Sequence, residues 1–184
     1  MRVISGMYRG LKLNSLDGLN TRPTLDNVKE AIFSMLFDKC TDAKVLDLFS
    51  GSGALGIEAL SRYGKECVFC DNSQEAINVI RSNVEKIKST DKSRIVKGDY
   101  LYNLETFKQN GEKFDIIFLD PPYAEDFMKK SLDAIYEFSL LSPCGVVVCE
   151  FDYGTNLDIQ NYNVIKNKKY GRVCINILEA QWTR

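Results

Sequence analysis

The sequence predicts an α/β protein with a Rossmann-like, mostly parallel central sheet and helices on both faces. Three observations carry this expectation. From residue 44 onward, short apolar runs alternate with amphipathic helical runs, the pattern of repeated βα units. Phe114 to Leu119 is apolar at nearly every position, as a strand covered on both faces must be. Gly51-Ser52-Gly53-Ala54-Leu55-Gly56 places G-x-G-x-x-G between an apolar run and a helical one.

A chain of 184 residues suits one domain, since a second core would need roughly another 100 residues. One domain is expected over 1–184, with 1–23 as a hairpin extension and 24–184 as the core. Hydrophobic residues make up 45% and charged residues 27%, an ordinary globular balance. No apolar run approaches the roughly 18 residues of a membrane span. Residues 1–6 lack the apolar stretch of a signal peptide, so a cytoplasmic protein is expected. Six cysteines without framework spacing fit that compartment. Cys67 and Cys70 lie three apart in a strand, on opposite faces, which argues for packing and against a metal or redox pair. The chain has no histidine. That excludes Ser-His-Asp and Cys-His catalysis and His-ligated zinc. Chemistry must then run on carboxylates, hydroxyls, backbone groups, lysine or arginine, or a cofactor.

In chain order, 2–5 and 11–13 read as a small hairpin. Leu25, Val28, Ala31, Ile32, Met35 and Leu36 recur at helical steps, with Thr24 as N-cap, so 25–38 is an expected helix. Strands follow at 45–49, 67–70, 94–97, 114–119 and 145–151. Helices are expected over 54–63, from Ser73 to Ile87, and over 125–138, with a weakly helical stretch at 100–112. Residues 162–168 and 172–180 pair as a terminal hairpin around Gly171, giving an antiparallel C-terminal strand.

In such sheets ligands bind at the carboxyl ends of the strands. The first strand ends in the glycine-rich turn, and Asp71 ends the second strand 20 residues after Gly51. A carboxylate there can accept both hydroxyls of a ribose, so the pair points to an adenosine-containing cofactor. Asp47, four residues before Gly51, separates two candidates. It would repel a pyrophosphate and attract an ammonium group, which favours S-adenosylmethionine over a dinucleotide. Asp99, at the third strand end, can accept from the adenine amino group or simply cap a loop. Asp120-Pro121-Pro122-Tyr123 ends the fourth strand. Successive prolines hold this turn rigid and extended. It presents a carboxylate, free carbonyls and an aromatic face, which are acceptors and a stacking surface for a planar amine.

This combination resembles the amino-methyltransferases, class I enzymes that methylate exocyclic nitrogens of bases and carry a D/N/S-P-P-aromatic signature. The resemblance then narrows. Met1-Arg2-Val3-Ile4-Ser5-Gly6 with Arg9-Gly10, Thr21-Arg22-Pro23-Thr24 with Val28 to Phe33, and Val45 to Arg62 are similar to the RsmD family of small-subunit ribosomal RNA guanine-N2 methyltransferases. Asp71 stands where the family more often has Glu. The resemblance implies a cofactor set of Arg22, Asp47, Phe49, Gly51, Ser52, Gly53, Asp71, Asn72, Asp99 and Tyr100. It implies catalysis by Asp120, Pro121, Pro122 and Tyr123, with no metal. The partner implied is ribosomal RNA or the small ribosomal subunit; the sequence leaves the oligomeric state open, with a monomer favoured.

The net charge of −1 hides basic stretches, net +3 over 1–29 and +4 over 81–97. The second reads as a solvated helix face. The first suits a polyanion, so Arg2, Arg9, Lys12 and Lys29 are expected to touch RNA phosphates. DNA adenine-N6 methylation uses the same tetrapeptide, but the chain has no insert sized for reading DNA sequence. A nicotinamide-dependent oxidoreductase rests on G-x-G-x-x-G alone.

Overall fold

The computed structural model describes residues 1–16, 26–122 and 125–182, and among these lie seven strands and five α-helices, which alternate until the last two strands. They are α1 (Asp26–Leu36), β1 (Lys44–Asp47), α2 (Ala54–Ser61), β2 (Glu66–Asp71), α3 (Gln74–Lys86), β3 (Ser93–Lys97), α4 (Tyr100–Gln109), β4 (Phe114–Leu119), α5 (Glu125–Glu137), β5 (Leu141–Asp152), β6 (Tyr162–Tyr170) and β7 (Val173–Ala180). One sheet runs β3-β2-β1-β4-β5-β7-β6. The first five strands are parallel, and β7 lies antiparallel between β5 and the edge strand β6. The class matches the expectation. The order reverses between β1 and β4, so the ends of those two strands flank the switch point where such sheets bind ligands.

Strand parity sorts the core into two layers. Val45, Cys67, Phe69, Ile116, Phe118, Val146 and Val148 face α1, α2 and α3. Leu46, Leu48, Val68, Cys70, Ile117, Leu119 and Val147 face α4 and α5. Cys67 and Cys70 fall in opposite layers, as an offset of three requires, and burial pushes both thiols well above their ordinary range. Ser73 caps α3 by accepting from the Ala76 N–H, and Ile77, Ile80, Val84 and Ile87 bury its inner face.

Three features depart most from the sequence expectation. The 100–112 stretch is a regular helix over Tyr100–Gln109, because the Asp99 carboxylate caps it by accepting from the Leu101 and Tyr102 N–H groups. β5 begins at Leu141, four residues early, and a register shift between Phe114 and Ile116 absorbs the extra residues. The N-terminal hairpin carries one bridge, Arg2 with Lys12, in place of a ladder. It is held mainly by α2. The Ser61 carbonyl accepts the Met7 N–H and the Ser61 hydroxyl accepts the Tyr8 N–H.

Candidate active site

The turn after β1 is built by short-range bonds. Ser50 Oγ donates to the Asp47 carbonyl at 2.6 Å and accepts the Cys70 N–H at 3.0 Å, which fastens the ends of β1 and β2 together. Gly53 then adopts φ +79, a left-handed conformation that suits glycine, and an added Cβ would also meet the Phe69 ring at 3.3 Å. Gly56 lets α2 press on β2, since a Cβ there would lie 2.4 Å from the Phe69 ring. At Gly51 the opposite holds. A Cβ would find only Leu16, at 4.0 Å, so the backbone of the turn is open on that side.

Carboxylates surround this open backbone. Asp71 accepts the Gly51 N–H on one oxygen and the Ser73 N–H on the other, both at 2.9 Å. It therefore fixes the glycine turn to the start of α3, a positioning role beyond the ribose contact read from the sequence. Each oxygen keeps a second lone pair for a hydroxyl. Asp47 is fully buried and accepts the Gly56 N–H at 3.0 Å. Burial pushes its carboxyl up to about 7, the Gly56 N–H opposes that, and the charges of Asp120 and Asp71 add to it. Asp47, Asp71 and Asp120 thus share one electrostatic neighbourhood at the ends of three strands. Asp99 lies exposed at the start of α4 and spends one oxygen on its cap. The Phe49 and Tyr100 rings pack tilted at 5.3 Å, and Phe127 of α5 closes the group at 6.1 and 5.3 Å. Phe127 and Ser50 are site residues that the sequence reading missed. Ser50 stands directly before Gly51, and Phe127 follows the tetrapeptide at short range.

Asp47 also sets a pH dependence. Its folded pKa, about 7, lies above the ordinary 3.8. Between those values the folded chain holds a proton that the unfolded chain has lost, so stability falls as pH rises through that window. Urea unfolding at about pH 5 and about pH 7.5 should show this fall in the wild type and a smaller one in Asp47→Asn. Equal slopes in the two proteins would remove Asp47 from the account.

Arg22 and Tyr123 lie outside the described residues. Ser52, Asn72, Pro121 and Pro122 take their places at the strand ends, Asn72 and Pro122 exposed. The Ser52 carbonyl accepts from Asn83 of α3, which also accepts the Asn14 N–H and donates to the Asn14 carbonyl. One buried amide thus joins the N-terminal segment to the glycine turn.

The basic N-terminal residues divide. Lys29 is a correction: its side chain is 0% exposed and ion-paired to the equally buried Glu58 at 3.2 Å, so it cannot reach a phosphate. Its ammonium also donates to the Arg2 carbonyl. Arg2 is exposed but lies 3.4 Å from Asp26. Arg9 sits on a turn packed against Ser61 and Ser89, at the C-terminal ends of α2 and α3. Those helices start at the ligand-binding edge, so Arg9 lies at the opposite pole from Asp120. Lys12 is exposed beside Lys86, which donates to the Lys12 carbonyl at 3.1 Å.

The donor set fits a cofactor that is cationic and hydroxylated. Three coupled carboxylates at an open glycine turn, beside a cluster of rings, suit a sulfonium, an ammonium, a ribose and a flat base. They do not suit a pyrophosphate. The fold is that of the class I methyltransferases, whose cofactor is S-adenosylmethionine. The chain belongs to the family described as conserved hypothetical protein 95, the RsmD-type methyltransferases, which matches residues 1–179. YlbH of Bacillus subtilis is 41% identical over 98% of this chain and 100% of its own length. Ribosomal RNA small subunit methyltransferase D of Haemophilus influenzae is 32% identical over 97% of this chain and 93% of its own. The solved structure of yhhF from Escherichia coli superposes with a TM-score of 0.87 at 30% identity, covering 98% of each chain.

Proposed function

We propose that this protein transfers a methyl group from S-adenosylmethionine to the exocyclic N2 amine of a guanine in small-subunit ribosomal RNA. The observation that carries the reading is the position of Asp120-Pro121-Pro122 at the switch point, beside the open glycine turn and electrostatically coupled to Asp47. The name of the Haemophilus relative supports the RNA class.

The bound cofactor would supply a methyl group already activated by its sulfonium. Asp71 and Asp47 hold the hydroxyl and ammonium ends, Arg22 is the candidate for the carboxylate, and Phe49 and Tyr100 flank the adenine. Asp120 and a proline carbonyl accept hydrogen bonds from the amine. A guanine amine shares its lone pair with the ring and is a poor nucleophile. Acceptors fix its approach and disperse the positive charge that builds on nitrogen. Tyr123 supplies a face for the base once it leaves its stack. Arg2, Arg9 and Lys12 serve as a remote phosphate patch.

Calorimetry should show binding of S-adenosylhomocysteine and none of NAD. Tritiated S-adenosylmethionine, offered with ribosomal RNA or small subunits from a strain lacking the activity, should label one guanine. Tight NAD binding without S-adenosylhomocysteine binding overturns the cofactor assignment. Label on DNA adenine, and none on RNA, moves the activity to DNA.

A further inference from the structure

We propose that the tip of the β6–β7 hairpin, carrying Lys168, Lys169 and Arg172 beside Tyr153, is a second contact surface for RNA, gripping phosphates next to the target base. The proposal rests on the reading above that the substrate is RNA.

Charge is the first observation. Residues 162–173 carry Lys166, Lys168, Lys169 and Arg172 and no acidic residue, on a chain of net charge −1. Their heads are available. Residues 163–169 are exposed throughout, and the Arg172 side chain is 81% exposed, with Asp152 only at 3.9 Å. Lys166 is the exception, since it donates to the Met35 carbonyl. Aromatic rings accompany the cations. The Lys169 ammonium lies over the Tyr153 ring and that of Lys168 over the Tyr170 ring at 5.2 Å, and Tyr153 is 65% exposed. Cations interleaved with exposed rings are what single-stranded nucleic acid needs, phosphate neutralisation and a stacking face.

Position is the second observation. Leu119, just before Asp120, pairs with Cys149. The next row runs from Glu150 through Ile175 to Lys168, and the row after it from Phe151 through Cys174 to Lys169. Lys168 therefore stands level with the start of the catalytic turn, three strands away, which is roughly 14 Å at the usual strand spacing. Arg9, at the other pole, cannot act on the same nucleotides. The acids nearest the tip, Glu150 and Asp152, are half-buried and leave the outer rim positive.

Lysines on an edge strand also serve to block edge-to-edge pairing. That explanation covers Lys168 and Lys169 but not Arg172, in the turn, or Tyr153, past the end of β5. It also predicts a different result. The test compares the wild type with K168Q/K169Q/R172Q for binding to an unmodified small-subunit ribosomal RNA transcript across salt concentrations. The plot of log affinity against log salt should flatten by about 2, three lost contacts at the single-strand coefficient. In methyl transfer the KM for RNA should rise about tenfold, with kcat and S-adenosylhomocysteine affinity unchanged. Tyr153→Ala should raise the same KM while Tyr153→Phe leaves it alone. An unchanged salt slope overturns the proposal, and self-association of the triple variant with that unchanged slope assigns the lysines to edge protection. A wild type that methylates no RNA overturns the functional reading itself, a result separate from the salt slope.

Discussion

Asp120→Ala is expected to slow single-turnover methyl transfer to RNA by about 10²–10³, the loss of one well-placed electrostatic stabiliser. In the ground state the amine is neutral, and a carboxylate beside it gains only an ordinary hydrogen bond. As the methyl transfers, positive charge builds on nitrogen and the same carboxylate gains a charge-charge attraction. Its effect therefore belongs to the transition state. Asp120 directly follows β4, the strand beside that of Asp47, so its removal also takes away one of the charges that hold the Asp47 carboxyl up. The Asp47 pKa should fall in the variant, and the pH dependence of stability described above should shrink with it. Cofactor affinity should move by less than about threefold, because in the proposed reading Asp120 contacts the base and not the cofactor. Asp120→Asn should be milder, since an amide oxygen still accepts a hydrogen bond. Rapid-quench kinetics with saturating RNA separate these outcomes from weaker binding. Near-full transfer by Asp120→Ala would make the tetrapeptide a structural turn.

What could be read from the sequence, and what could not, divides on range. β4, the glycine turn and the alternation of βα units were legible because each is written in residues close together in the chain. Asp71 was legible as an acid at a strand end, but its hold on the Gly51 N–H was not. That bond depends on how β1 and β2 lie side by side, and no spacing encodes it. Lys29 was misread for a related reason. A lysine on an amphipathic helix faces water in most proteins, and full burial requires a partner that the sequence does not mark. A signal was nonetheless present in α2. Ala54-Leu55-Gly56-Ile57-Glu58-Ala59-Leu60-Ser61 is apolar around its whole circumference, and such a helix is buried on all sides. Its one charge, Glu58, must then be paired. The cationic β6–β7 hairpin is written in the sequence as four basic residues without an acid, but its closeness to Asp120 follows only from β7 inserting between β5 and β6.

Glu58→Ala should be the most destabilising single change, costing about 3–5 kcal/mol, the usual effect of breaking a buried ion pair. Its carboxylate has four partners and no solvent exposure. One oxygen accepts the Ile4 N–H at 2.8 Å and the Lys29 ammonium at 3.2 Å. The other accepts the Ser5 N–H at 2.9 Å and Arg62 Nε at 3.1 Å. Removing it strands the Lys29 charge, whose pKa burial already pulls down while Glu58 opposes. It also leaves two backbone N–H groups without acceptors, a further desolvation cost. A loss of this size should lower the melting temperature by about 6–20 °C for a chain of this length. Glu58→Gln should cost less, because its carbonyl still serves one side of the network. Lys29→Met added to Glu58→Leu should recover only part of the loss. Apolar replacement removes the stranded charge, as it does for other buried pairs, but cannot serve the Ile4 and Ser5 N–H groups. The shortfall then measures how far this carboxylate, more than the burial of Val3 and Leu13, fastens the N-terminal segment to α2. Should Glu58→Ala melt within about 1 kcal/mol of the wild type, those apolar contacts hold the segment by themselves.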